Sequence, residues 1–512
     1  MSSAVDTPGS DVPEGSPWVR LALTAIVVAA LLFGAFYLYA AGQALFGAIL
    51  LAVATGVAVI YGANRFYGAR FIFPGIAAVL VFIAFPVIYT VYLGFTNYSS
   101  AHLLTFERAT EVILSRATVN PETETGFAVA PDGDGYRLWL PDEGLISEPL
   151  ALDGSAEEVA LSPGAEPAEL LSTRDAVQLR SGLQAISLTA PDGTILRNSG
   201  LRSFAEVTPD YVRESPGVLR NLETLEPLTA NHETGFYETL DGETVTPGWR
   251  VNVGLENFRE IFTNEGIFAP MLRIFVWTVA FAALTVVFTF ALGVTLAVIL
   301  QWEHLAFKPL YRLLLILPYA VPAFISILVF RGLFNQNFGE INLILTQLFG
   351  IAPDWFTNGT LARAMTLIVN TWLGYPYIML LAMGFLQSVP QDHKKAAALE
   401  GASSVRVFFT ITLPQILPPF VPLLIASFAF NFNNIVLILL LTRGLPDIPG
   451  TLIPAGQTDI LASFTYRLAF NDSAQQFGLA GAITLLIFLV VAAMSYVNLV
   501  AMRRAQQKKA GQ

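Results

Sequence analysis

Eight stretches of the chain, residues 19–41, 43–62, 71–95, 270–300, 309–332, 361–386, 418–442 and 477–501, consist mainly of apolar side chains, with charges near their edges. A hydrocarbon layer of about 30 Å takes roughly 20 helical residues to cross, so each run predicts one membrane-spanning helix. Pro318 and Pro322 lie in the fifth run, where a proline removes a backbone donor and predicts a kink. Polar residues gather at 1–17, between the third and fourth runs at 97–265, and between the sixth and seventh at 387–416. The pattern predicts an all-α polytopic membrane protein with one large insert.

Within the insert, short runs of strand-forming residues are separated by Asp132-Gly133, Asp134-Gly135, Asp192-Gly193 and Asp241-Gly242, pairs that favour tight turns. A β-rich domain is expected there. Residues 97–265 hold 28 acidic residues against 11 arginines and no lysine, or −17, whereas the whole chain carries −11 and the remainder therefore +6. Arg65, Arg70, Lys308, Arg312, Lys394, Lys395, Arg406, Arg503, Arg504, Lys508 and Lys509 fall on one side of an eight-span arrangement, which makes that side cytoplasmic. Both termini are expected inside, and the acidic insert outside, where its surface either meets a soluble partner or is simply solvated. The first run follows a polar tail and leads straight into a second run, so it reads as a retained anchor rather than a cleaved signal. The expected organisation is a disordered cytoplasmic tail at 1–17, spans one to three at 18–96, the insert at 97–265, spans four to eight at 266–505, and a cytoplasmic tail at 506–512.

Composition narrows the chemistry. A hydrophobic share of 54% excludes an ordinary soluble protein. The absence of cysteine excludes thiol catalysis and thiolate metal sites, and His102, His232, His304 and His393 have no ligand spacing. None of the lysines sits in a phosphate-cradling Gly-x-x-x-x-Gly-Lys-Ser/Thr loop, so the chain is not its own P-loop ATPase. Ion-coupled carriers place ionisable groups in mid-membrane; here Arg273, Arg312, Arg331 and Arg363 lie near predicted span ends.

What the late spans carry is uncharged hydrogen-bonding chemistry. Asn370, Leu373, Gly374 and Tyr377 recur at i, i+3, i+4, i+7 in the sixth run, and Ser427, Phe430, Asn431 and Asn434 do so in the seventh. Two such faces suit a sugar, whose hydroxyls take paired donors and acceptors while its C–H faces pack on rings. The alternative is that the amides join helices and that Gly374 only allows close packing. Between these runs, Ala396 to Leu399 form a strong helix, Gly401 offers a left-handed cap or a bend, and Pro414 predicts the end of a second helix.

The spacing from Ala396-Ala397 through Gly401 to Ile411-Thr412-Leu413-Pro414 resembles the ATPase-docking loop of the membrane subunits of ATP-binding-cassette (ABC) importers, with Lys395 where that family has glutamate. Further on, Asn370-Thr-Trp-Leu-Gly-Tyr-Pro-Tyr377, Ser427-Phe-Ala-Phe-Asn-Phe-Asn-Asn434, Pro454-Ala-Gly-Gln-Thr-Asp459 and Tyr466-Arg-Leu-Ala-Phe470 are similar to maltose/maltodextrin permease subunits of the MalF type. The resemblance implies a type I ABC importer permease fold with eight spans and a periplasmic insert after the third, in a bacterial inner membrane. It implies that Asn370, Leu373, Gly374, Tyr377, Ser427, Phe430, Asn431 and Asn434 form an intramembrane sugar site. Lys395, Ala396, Ala397, Glu400, Gly401, Ile411, Leu413 and Pro414 would couple to the ATPase.

The implied partners are a second permease subunit of the MalG type, an ATPase dimer of the MalK type that binds the ATP and magnesium, a periplasmic maltose-binding protein and membrane lipid. No cofactor on this chain, no enzymatic activity and no nucleic acid are implied. The insert and the loop from Arg443 to Phe477 would hold the binding protein. A permease of the same class for trehalose or another α-glucoside is the first alternative; an ion-coupled carrier and a membrane enzyme fit the sequence less well.

Overall fold

The computed structural model describes residues 17–510 apart from 134, 156–157, 201, 303, 452 and 472–473, so the predicted N-terminal tail lies outside the described residues except for Pro17. Residues 17–100 and 252–510 form a helical unit, and Ala101–Val251 forms a separate compact unit inside the 97–265 segment marked by charge.

The helical unit contains α1 (Pro17–Ala40), α2 (Ala44–Gly62), α3 (Ala69–Leu93), α4 (Glu265–Gln301), α5 (Lys308–Ala320), α6 (Ala323–Leu333), α7 (Gly359–Gln387), α8 (Gln391–Leu399), α9 (Ser404–Phe432), α10 (Ile435–Leu441), α11 (Leu461–Phe470) and α12 (Phe477–Ala510). Among the described residues seven helices are long and apolar enough to cross a membrane, or eight if α5 and α6 count as one span. α4 and α7 approach closely at glycines. A Cβ on Gly293 would stand 2.8 Å from Ile378, and one on Gly374 would stand 2.8 Å from the Thr289 methyl. Around this seam Val294, Ala297, Ile378, Met379, Ala382 and Phe420 form one buried cluster.

Two expectations are corrected here, and one is sharpened. The fifth run is broken into α5 and α6, which meet at 95°, a bend far larger than a simple proline kink. Val321, forced out of the helical region by the ring of Pro322, is extended at φ −88°, ψ 132°, and Pro322 then heads α6. The seventh run, 418–442, is also two helices, because α9 ends at Phe432 and Asn434 caps α10 by accepting from the Leu437 N–H at 3.5 Å. Asparagine side chains compete for backbone donors at helix starts, and here that outweighs the continuing apolar run.

Pro414, finally, does not stop a helix. It follows a π turn at Phe408–Thr412 within the 29-residue helix Ser404–Phe432. A proline ring clashes with the carbonyl four residues before it, here Thr410, and the wide turn makes room for it. Pro86 in α3 stands in the same relation to the π turn Leu80–Ala84.

The inserted unit is β-rich. Nine strands from Ala117 to Pro209 form a mixed sheet, and five from Tyr211 to Val245 form an antiparallel meander. Of the predicted turn glycines, Gly133, Gly193 and Gly242 take positive φ of 63°, 89° and 83°. Gly135 instead opens the strand Gly135–Leu140 and pairs with Asp132. Most strand connections are antiparallel, but Glu158–Pro163 and Ser187–Thr189 pair in parallel, bridged by a crossover containing helices Thr173–Gln178 and Arg180–Ala185. Leu138, Leu140, Leu188, Leu196 and Phe204 fill one core. Ile113, Leu219, Tyr237 and Trp249 fill a second.

Candidate functional site: a polar seam, an exposed loop and an arginine clamp

The two stripes do meet. Asn370 of α7 and Asn431 of α9 are both buried, and the Asn370 amide donates to Asn431 Oδ1 at 2.7 Å and to Thr285 Oγ1 of α4 at 3.2 Å. Asn431 in turn donates to the Ser427 carbonyl at 2.8 Å, and Asn434 donates to Asn370 Oδ1 at 3.5 Å. The seam is thus closed on itself, as the interhelical-bond alternative expects; each such bond is worth on the order of 1 kcal/mol.

The other stripe members divide. Gly374 packs against Thr289 and Leu373 packs into the cluster around Met365, Val369 and Leu437. Tyr377 and Phe430 instead are 42% and 69% exposed. Asn434 stands beyond the end of α9, so the single-helix face counted from the sequence holds only as far as Asn431. Thr285 is a member the sequence reading missed; its recurrence with Thr278 and Thr289 at i, i+7, i+11 on one face of a mainly apolar helix was the available signal.

In the loop 387–416, α8 ends in a left-handed cap. Gly401 has φ +81°, its N–H donates to the Ala398 carbonyl at 3.0 Å, and the Ala402 N–H reaches Ala397 at 3.0 Å. Lys395, Ala396, Glu400 and Gly401 are exposed, Ala397 half-buried, and Leu399 is 90% exposed. Ser403 begins the next helix by accepting from the Arg406 N–H at 3.4 Å. Ile411 and Leu413 are half-buried and Pro414 is exposed.

A third assembly was not singled out from the sequence. Arginines from three helices hold α10 and the loop that follows it: Arg331 donates to the Leu440 carbonyl at the end of α10 at 3.4 Å, and in the loop Arg363 donates to the Gln457 carbonyl at 2.7 Å and Arg467 to Asp459 at 2.6 Å and Asp447 at 2.7 Å. Asp459 is fully buried and also accepts from the Gly456 N–H and the Ser463 hydroxyl, each at 2.8 Å. Burial pushes its carboxyl up to about 6, against the pull of the Arg467 guanidinium and these donors. The pair therefore fixes position more than it adds stability. Gly444 and Gly456 carry no side chain because a Cβ on Gly444 would strike Asp459 and Arg467, and one on Gly456 the Gly444 carbonyl and Arg467.

Residues 289–505, which hold the loop, the clamp and all of the seam except Thr285, match the family described as binding-protein-dependent transport system inner membrane component. Residues 104–254 match the maltose transport system permease protein MalF P2 domain. Relatives named maltose/maltodextrin transport system permease protein MalF include those of Salmonella typhimurium, 45% identical over 91% of this chain and 93% of that protein, and of Vibrio vulnificus, 44% identical over 97% of each. That of Escherichia coli is 45% identical over 95% of this chain and 96% of its own length. The chain belongs to the MalF family of transport-system permeases. Among solved structures, a chain of a bacterial ABC transporter involved in the import of the acidic polysaccharide alginate aligns with 49% of this chain and 84% of its own, at 18% identity and a TM-score of 0.42.

Proposed function

We propose that this chain is a pore-forming subunit of an ATP-driven maltose/maltodextrin importer in a bacterial inner membrane, with both termini cytoplasmic. The observation that carries the reading is the 44–45% identity to maltose permeases along nearly the whole length of both chains. A second permease subunit would complete the path. An ATPase dimer holding ATP and magnesium would take the Gly401 loop, and a periplasmic binding protein would deliver the sugar.

The seam explains how such a path is kept shut without charge. Asn370, Asn431 and Asn434 satisfy one another through the bonds above, and a sugar hydroxyl entering the seam exchanges one hydrogen bond for another at little net cost. Tyr377 and Phe430 supply apolar faces for the pyranose rings. Leu373 and Gly374 shape the wall, Gly374 by letting α4 approach.

Uptake of labelled maltose by vesicles holding the complete importer tests this. The expected result is ATP-dependent accumulation that falls by about fivefold or more in Asn431→Ala, which leaves the Asn370 amide short of an acceptor. Phe430→Ala lowers uptake several-fold while ATPase subunits still co-purify, because that ring touches sugar and not the docking loop. ATPase turnover without maltose uptake would overturn the sugar assignment within the same class of importer. Accumulation by this chain alone would overturn the need for partners.

A further inference from the structure

At the end of α7 opposite the Gly401 loop, Leu272, Arg273, Val276, Trp277 and Ala280 of α4 and Arg363 of α7 line an open groove of about 520 Å³. Its long wall is aliphatic: Leu272 and Val276 are 47% and 60% exposed on a helix long enough to cross a membrane. Its rim is cationic. The Arg363 guanidinium lies 4.8 Å from the Trp277 ring centroid, and its Nε–H is spent on the Gln457 carbonyl, so the head is held in place with its terminal N–H groups left over. Arg273, one helical turn before Trp277, is exposed. Neither arginine enters an ion pair among the described residues.

Depth matters for what such a groove takes. Arg273 lies eight residues into α4 and Arg363 four into α7, or about 12 and 6 Å along their axes at the helical rise. That is the zone in which a membrane helix passes from headgroups to hydrocarbon. A guanidinium there needs an anionic partner, because leaving it unpaired against lipid is costly. The groove thus offers two positive charges at one end and an uncovered aliphatic strip leading away from them, the pattern of an amphiphile with an anionic head.

We propose that this groove is a binding site for an anionic phospholipid, its phosphate held between Arg273 and Arg363 and an acyl chain laid along Val276 and Ala280. A zwitterionic lipid fits less well, because its own cationic group would face the two guanidiniums. A carboxylate-bearing helix of the second permease subunit is the competing occupant, and the thiol cross-link below separates it from lipid. On the orientation proposed above, the lipid sits in the outer leaflet. The site is independent of the sugar assignment.

The test uses the assembled importer, purified in mild detergent and titrated with dioleoyl phosphatidylglycerol or dioleoyl phosphatidylcholine, with bound lipid counted by native mass spectrometry. The expected result is preferential retention of phosphatidylglycerol, lowered about fivefold by Arg273→Gln and largely restored by Arg273→Lys, since one charge near an anionic headgroup is removed and then returned. Arg273 is exposed, so these changes leave the packing of α4 intact. Equal retention of the two lipids, or phosphatidylglycerol retention unmoved by Arg273→Gln, would overturn the proposal. So would efficient cross-linking of Val276→Cys, the sole thiol on a chain that has none, to the second permease subunit.

Discussion

Asp459→Ala is expected to destabilise the importer by about 3–5 kcal/mol, the usual cost of removing one member of a buried ion pair and stranding the other. The stranded group is the Arg467 guanidinium, whose side chain is 9% exposed and which would keep only Asp447, itself 59% exposed. The Gly456 N–H and Ser463 hydroxyl lose an acceptor at the same stroke. Asp447→Ala removes the solvated arm of the clamp and should cost no more than about 1 kcal/mol. Replacing both buried members, Asp459→Leu with Arg467→Met, should recover much of the lost stability, because the desolvation cost leaves with the charges. Thermal unfolding of the purified complex checks the order of the four proteins. If Asp459→Ala melts where Asp447→Ala does, the buried arm does not hold the loop.

The architecture was largely legible because a membrane makes one demand that sequence expresses directly, an apolar run of sufficient length. Where the reading failed, two physical requirements met on the same residues. The run from Pro418 to Thr442 is mainly apolar, but Asn433 and Asn434 interrupt it with side chains that cap as readily as they line a path, and the structure uses Asn434 as the cap of α10. Counting i, i+3, i+4, i+7 through that break put Asn434 on a face that ends at Asn431. Pro318 and Pro322 announced a kink, but its 95° size depends on what packs around α5 and α6, including the Tyr375 hydroxyl bonded to the Leu315 carbonyl at 3.0 Å. The clamp was hidden differently. Asp447, Asp459 and Arg467 are spread over 20 residues of loop and helix and converge only because Gly444 and Gly456 let the chain fold back.

Gly401→Pro is expected to leave the subunit folded and assembled yet cut uptake by at least about tenfold, since a proline forced into an incompatible backbone costs roughly 3 kcal/mol where it sits. The incompatibility is threefold. Gly401 has φ +81° where proline holds about −65°; its N–H, which donates to the Ala398 carbonyl, is lost; and Glu400, at φ −78° and ψ 4°, has a conformation disfavoured before proline. None of this reaches a core, because α8 buries no residue. What changes is the direction in which α8 and the exposed Leu399 and Val405 present themselves to a docking partner.

The continuity of α9 makes that direction consequential. Since Pro414 lies within the helix rather than ending it, one rod runs from Ser404 beside the loop to Asn431 in the polar seam, about 40 Å at the helical rise. If the loop docks an ATPase as proposed, a displacement there would pass to the Asn370–Asn431 bond along that helix, through the π turn at Phe408–Thr412 and past Pro414, Pro418, Pro419 and Pro422. Gly401→Ala, which keeps the N–H and pays only the left-handed strain of about 1–2 kcal/mol, should fall between native and Gly401→Pro. Maltose uptake and ATPase turnover measured in the same vesicles separate the cases. Turnover that persists while uptake fails in Gly401→Pro places the defect in transmission; uptake unchanged in Gly401→Pro would remove the docking role from this loop.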